Sequence, residues 1–275
     1  MFEIGRRQSL PIARIDERGA WLQAGAESVL LPQRELPAGA VPGQSLEAFV
    51  YRDSSGSPVA TLRQPKGEVG EFVLLKVSQS TRHGAFLDWG LEKDVLCPFS
   101  EQPERMRPGR SYLVKLCLDS QGRVVATAQI ERCLEPPTTE LAEGEAVELQ
   151  LWEHTDLGAK VIINGRFAGL LYQDELPAGL RRGERLSGYI KRLREDGKID
   201  VCLRQSGAAG AAEATGILLA ALRSHGFLPL HDQSSPQQIQ QLLGLSKKAF
   251  KKALGGLYKA GLVELEADGV RLKAK

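Results

Sequence analysis

Four lysines, Lys247, Lys248, Lys251 and Lys252, stand at spacings of one, three and one residues. On an α-helix this spacing sets them within adjacent turns of one side. Such a cluster can neutralise a polyanion, each phosphate contact releasing a counterion. The same lysines serve equally as a solvated helix face. Residues 213–275 carry nine basic against five acidic side chains, whereas the residues before them are neutral or slightly acidic. Catalysis has less to work with. His83, His154, His225 and His231 lie far apart, without metal-ligand spacing or a neighbouring nucleophile. Cys97, Cys117, Cys133 and Cys202 have no C-x-x-C spacing and read as buried free thiols in a reducing cytoplasm. The expectation is a non-enzymatic chain with no catalytic residue, no metal site and no cofactor.

A lysine face needs a helix with an apolar opposite side. Ser246 is placed to cap a helix from Lys247 to about Ala260, with Phe250, Ala253, Leu254 and Leu257 towards a core. Gly255-Gly256 within it costs about 1 kcal/mol per glycine against alanine. Upstream, Ser235-Pro236-Gln237-Gln238 is a capping-box start, and Gly244 sits where a C-cap glycine belongs. Thr215 to Leu222 reads as a further apolar helix, and residues 207–213, opening GAAGAA, as a flexible linker. Val263 to Glu266 and Val270 to Lys273 alternate around Ala267-Asp268-Gly269, which reads as a hairpin. Three helices and a two-stranded wing make a winged helix-turn-helix over residues 214–275, with the lysines on its recognition helix.

The remainder is a repeat. A shift of 66 residues carries Val29-Leu30-Leu31-Pro32 onto Val95-Leu96-Cys97-Pro98, Gly43 onto Gly109, Gly56 onto Gly122 and Ala60-Thr61 onto Ala126-Thr127. A further shift of 74 carries Gly84-Ala85 onto Gly158-Ala159 and Gly109 onto Gly183. The string ELPAG occurs at Glu35 to Gly39 and again at Glu175 to Gly179. Units this long exceed solenoid repeats and can each hold a small core. Their limits fall at residues 1–64, 65–135 and 136–206. Each reads as five short strands with glycine at the turns, which suits a small barrel of the OB type. The fold expected is multidomain and mainly β: three tandem five-stranded OB-type barrels followed by an α+β winged helix-turn-helix.

The segment Gly84 to Glu101, GAFLDWGLEKDVLCPFSE, resembles the second and third strands of the RNA-binding domain named after ribosomal protein S-one. Gly169 to Leu176 and Leu30 to Leu36 occupy the later part of that pattern in the other copies, and Asp119, Gly122 and Arg123 match the family's closing D-x-x-G-R. The resemblance implies an RNA-facing aromatic pair at Phe86 and Trp89. The first copy keeps one aromatic, Trp21, and the third has Lys160; the family's histidine position holds Pro32, Pro98 and Tyr172. An aromatic ring on a strand offers unstacked bases a sequence-tolerant surface worth about 1–3 kcal/mol per base. Arg82, Lys93, Lys115 and Arg123 are the cations available to track phosphates. Residues 86 and 89 differ by an odd number, so strict alternation puts them on opposite faces, one of them in the core. Exposing both requires a bulge or a curl.

Over the whole chain, three such barrels, LPLHDQSSP at Leu228 to Pro236 and LSKKAFKKALGGLYKAG at Leu245 to Gly261 resemble the bacterial conserved virulence factor B family. The resemblance implies a non-enzymatic regulator binding single-stranded RNA. Two further readings stay open: a transcriptional regulator binding duplex DNA through the winged helix, and an adaptor for ribosomal or RNA-processing proteins. No stretch approaches about 18 uncharged apolar residues, and the N-terminus lacks a signal-peptide core, so a cytoplasmic location without membrane contact is expected.

Overall fold

The computed structural model describes residues 2–53, 55–136, 140–204 and 207–273. It holds three closed five-stranded barrels and a winged helix. The first barrel comprises β1 (Arg6–Asp16), β2 (Gly19–Ala24), β3 (Glu27–Pro32), β4 (Ser45–Arg52) and β5 (Pro58–Thr61), in ring order β1-β2-β3-β5-β4. The second has β6 (Phe72–Thr81), β7 (Gly84–Asp88), β8 (Val95–Pro98), β9 (Ser111–Leu118) and β10 (Val124–Thr127), and is followed by the short helix α1 (Ile130–Cys133). The third has β11 (Ala146–Thr155), β12 (Gly158–Ile163), β13 (Phe167–Tyr172), β14 (Arg185–Leu193) and β15 (Ile199–Cys202). All three rings share one strand order. The chain packs as two compact units, Met1–Pro137 with Glu148–Gly169 and Leu176–Leu186, and Thr138–Val147 with Leu170–Glu175 and Ser187–Lys275.

Each barrel is curled by one device. The long first strand pairs with two neighbours and carries a register shift, between Ile12 and Arg14, between Val77 and Gln79, and between Leu151 and Glu153. A bulge adds twist where a strand leaves one partner for another. In β1, Arg6 to Pro11 pair with β4, and Ile12 to Asp16 pair with β2. Glycine opens the second strand of every barrel. Gly84 has φ +149°, and a Cβ there would lie 2.3 Å from the Cys97 carbonyl oxygen. Only a residue without a side chain lets β8 come this close.

The second unit ends in the winged helix: α2 (Gly207–His225), β16 (Phe227–Leu228), α3 (Pro236–Leu243), α4 (Lys247–Lys259), β17 (Val263–Leu265) and β18 (Val270–Leu272). Ser235 and Gln238 form the capping box, and Gly244 closes α3 at φ +64°. Leu218, Leu222, Ile239, Phe250, Leu254 and Val270 fill the core. Two expectations are corrected. Residues 207–213 are the opening of α2 rather than a linker. Four of the six residues in GAAGAA are alanine, the best helix former, and extending an existing helix needs no new nucleus. The boundary placed at residue 206 lies outside the described residues. The wing is also three-stranded, in order β16-β18-β17, because Phe227 and Leu228 pair with Arg271 and Val270.

Gly84→Ala should lower the urea midpoint of the full chain, the strained backbone alone costing about 1–3 kcal/mol. Gly255→Ala should raise that midpoint, adding about 1 kcal/mol or less of stability, because nothing lies within 4 Å of a Cβ built there.

Candidate nucleic-acid interface

In the second barrel the interior takes Leu75, Ala85, Leu87, Cys97, Leu116 and Ala126. Alternation turns their neighbours outward. Gln79 pairs with Phe86, Phe86 with Leu96, Leu96 with Val125 and Val125 with Cys117. These residues cross all five strands, with half-buried Phe86 among largely apolar companions. Burial pushes the Cys117 thiol above its ordinary pKa and the Cys97 thiol up to about 12, so both stay protonated at neutral pH.

The corresponding path in the first barrel runs Arg14, Trp21, Leu30, Val59, Tyr51. Trp21 is already engaged. The Arg14 and Arg18 guanidinium groups lie 4.6 and 5.6 Å from its ring, and its Nε1 donates to Asp16 at 2.7 Å. That hydrogen bond, with further ones from the Arg18 backbone and from Arg14, holds the Asp16 carboxyl below the usual range. In the third barrel Lys160 takes the aromatic's place, 3.2 Å from Glu153 and 3.4 Å from Glu131. Burial works against its charge, but the two carboxylates outweigh it and raise its pKa. Elsewhere in that barrel Arg194 grips Asp200 at 2.7 and 2.9 Å and donates to the Tyr172 hydroxyl. Lys191 stands 5.6 Å over the Tyr172 ring. These polar groups satisfy one another.

Trp89 is not part of the outward path. It is 3% exposed and packs edge-on against Phe49 at 5.6 Å and Tyr51 at 6.3 Å, both from β4 of the first barrel. Its indole N–H donates to the Lys93 carbonyl. The odd spacing of 86 and 89 therefore acts as plain alternation dictates: Phe86 faces out and Trp89 faces in. The expected pair of stacking rings reduces to one. Phe49 itself points away from its own barrel's core and belongs to that of the second barrel, so the outer face of β4 completes the second core.

The remaining candidates divide by their partners. Arg82 sits in the β6–β7 turn, its Nε donating to His83. Lys93 is exposed, and Lys115 donates to the Cys133 carbonyl at 3.3 Å over the Phe72 ring. Asp119 and Arg123 close a turn: Asp119 accepts from the Gln121 and Arg123 backbone and pairs with Arg123 at 2.7 Å. On α4, Lys248, Lys251 and Lys252 are exposed, while Lys247 reaches the Gln233 carbonyl at 3.4 Å. Lys251 is 4.0 Å from Asp232; Lys248 and Lys252 have no carboxylate partner among the described residues. Exposed Tyr258 and Lys259 extend this face beyond Gly255 and Gly256. Sequence reasoning passed over Arg105, Arg107 and Arg110, whose signal is that the other two copies have no arginine at the first of these positions and share ELPAG there.

The family model for the S1 domain matches residues 4–63 and 69–129, and that for the CvfB-like winged helix domain matches residues 217–272. The chain carries two S1 domains and a CvfB-like winged helix domain. Both are nucleic-acid-binding families. The chain is also similar to Conserved virulence factor B of Staphylococcus aureus, strains bovine RF122 / ET3-1 and MSSA476. Each is 25% identical over 242 residues, covering 85% of this chain and 81% of the relative. A crystal structure of a multidomain protein with nucleic acid binding domains from Streptococcus pneumoniae TIGR4 aligns over 98% of this chain and 99% of its own. It is 22% identical, with a TM-score of 0.42. Among the described residues no helix is long and apolar enough to cross a membrane.

Trp89→Ala should cost about 3–5 kcal/mol of stability, as expected for a buried aromatic, whereas Phe86→Ala should cost about 1 kcal/mol or less. Urea unfolding followed by circular dichroism measures both.

Proposed function

We propose that the chain is a non-enzymatic, single-stranded RNA-binding protein that acts after transcription. The second S1 barrel receives bases on Phe86, and the winged helix holds phosphates on the α4 lysines. The observation that carries this reading is Phe86 itself. It is an outward aromatic in an S1 domain, beside Leu96 and Val125, while its neighbours Ala85 and Leu87 are turned inward. A base face is the ligand that an isolated strand aromatic suits, and single strands leave base faces free. The first barrel adds Trp21 at the same place in its ring, which a base reaches by displacing Arg14. The third barrel contributes least at this place, since Lys160 replaces the aromatic and is held by Glu131 and Glu153, while Lys191 and Arg194 beside Tyr172 are held by Glu175 and Asp200.

The unpaired Lys248 and Lys252 support a second reading, duplex DNA bound through α4 with the barrels as scaffold. Competition among single-stranded RNA, single-stranded DNA and duplex DNA separates the readings. Tightest binding to single-stranded RNA is the expected result. Duplex preference overturns it, and negligible affinity for all three leaves a protein-binding adaptor.

Phe86→Ala should weaken single-stranded RNA binding by about 1–3 kcal/mol with the salt dependence unchanged. Replacing Lys248 and Lys251 together by alanine should weaken different RNA sequences alike and flatten the log-affinity against log-salt slope by about one to two units. A full salt slope in the lysine variant removes the winged helix from the interface.

A further inference from the structure

Between β8 and β9 the second barrel departs from its sister copies. The first and third have LPAGAVPGQ and LPAGLRRGE; the second has QPERMRPGR, from Gln102 to Arg110. Its loop is held from within. Gln102, 8% exposed, donates to the Cys97 carbonyl at 2.8 Å and accepts from the Met106 backbone at 3.1 Å. Met106 enters the barrel core. The Arg107 backbone donates to the Tyr112 hydroxyl at 3.1 Å, and Gly109 and Arg110 bond to both sides of Val77. With its backbone tied down, the loop borders an open cavity of about 280 Å³ lined by Glu104, Arg105, Arg107, Arg110 and Tyr112.

Three guanidinium groups against one carboxylate leave this cavity positive. None of the three arginines has a carboxylate partner among the described residues; exposed Arg181, Arg182 and Arg192 of the third barrel share that trait, and what sets these three apart is that they line one cavity. Arg105 instead sits over the Phe99 ring, its guanidinium carbon 3.7 Å from the ring centre. An arginine stacked on one face offers the other to a second planar group, and nucleobases stack on guanidinium planes. The other two arginines provide forked donors matched to phosphate oxygens.

We propose that this cavity binds one nucleotide, with its base on Arg105 and its phosphate on Arg107 and Arg110. The occupant is either a free nucleoside phosphate or one nucleotide of a bound strand. Both share the chemistry of a planar base joined to an anionic phosphate. Phe86 is not among the residues that line the site, and the proposal stands or falls without it.

The test titrates the full chain with the four ribonucleoside 5′-monophosphates, the matching nucleosides and inorganic phosphate. The monophosphates should bind at least about tenfold more tightly than either part alone, since charge-assisted bonds and stacking each add to affinity. Arg107→Gln with Arg110→Gln should lose about tenfold or more of that affinity, and Arg105→Ala should reduce the monophosphate towards the level of inorganic phosphate. Phe86→Ala should leave it unchanged. A short oligoribonucleotide that displaces the monophosphate identifies the strand as the source, and one that does not identifies the free nucleotide. The site is overturned if nucleoside and monophosphate bind alike, if inorganic phosphate matches the monophosphate, or if the double variant, folded by circular dichroism, keeps full affinity. Loss of RNA binding in Phe86→Ala with intact monophosphate binding tells the two sites apart.

Discussion

The packing of Trp89 against Phe49 and Tyr51 underlies the arrangement of the first two barrels. A Trp side chain buries about 150–250 Å², worth roughly 4–6 kcal/mol at about 25 cal/mol per Å². Neither barrel supplies that site alone: the ring comes from the turn after β7 and its seat from β4. The seat exists because Phe49, at an outward position on its own strand, would otherwise be a large apolar ring in water. Seating Trp89 on the outer face of β4 removes both rings from solvent. It also leaves Phe86, on the opposite face of β7, as the aromatic available to a ligand in the second barrel.

Much of this was legible in the residues, and what was not has physical reasons. The repeat, the strand count and the glycine turns gave the barrels, and local signals such as Ser235, Gln238 and Gly244 gave the helix ends. Alternation correctly separated Phe86 from Trp89; it was the family pattern that suggested both could face a ligand. The seat at Phe49 was hidden because it joins residues 40 positions apart, in a contact no period encodes. β16 was missed because two residues cannot show a period. GAAGAA was misread because its glycines outweighed its alanines in a reading that left out the helix continuing downstream. The arginine loop escaped because its significance lies in difference from the sister copies, not in any motif.

Charge pairing sorts the surfaces in a way that net charge does not. Exposed ion pairs add little stability. Their larger effect is to cancel the local field that would attract a polyanion. The third barrel pairs Lys160, Lys191 and Arg194 with nearby carboxylates and offers little net field there. The loop of the second barrel and the face of α4 keep cations without such partners. The segment with the strongest positive excess thus supplies one attractive surface, and another lies in a segment of zero net charge.

The ring order bears on how the chain is made. In each barrel the strand that completes the ring is the last one synthesised and only four residues long: β5, β10 and β15. Each lies between two strands made earlier, antiparallel to one and parallel to the other. A module leaving the ribosome thus stays an open, edge-bearing sheet until almost its whole length has emerged, then closes in one step. Trp89 emerges after Phe49, so the residues of the first barrel that seat it are already made when the second barrel's core forms.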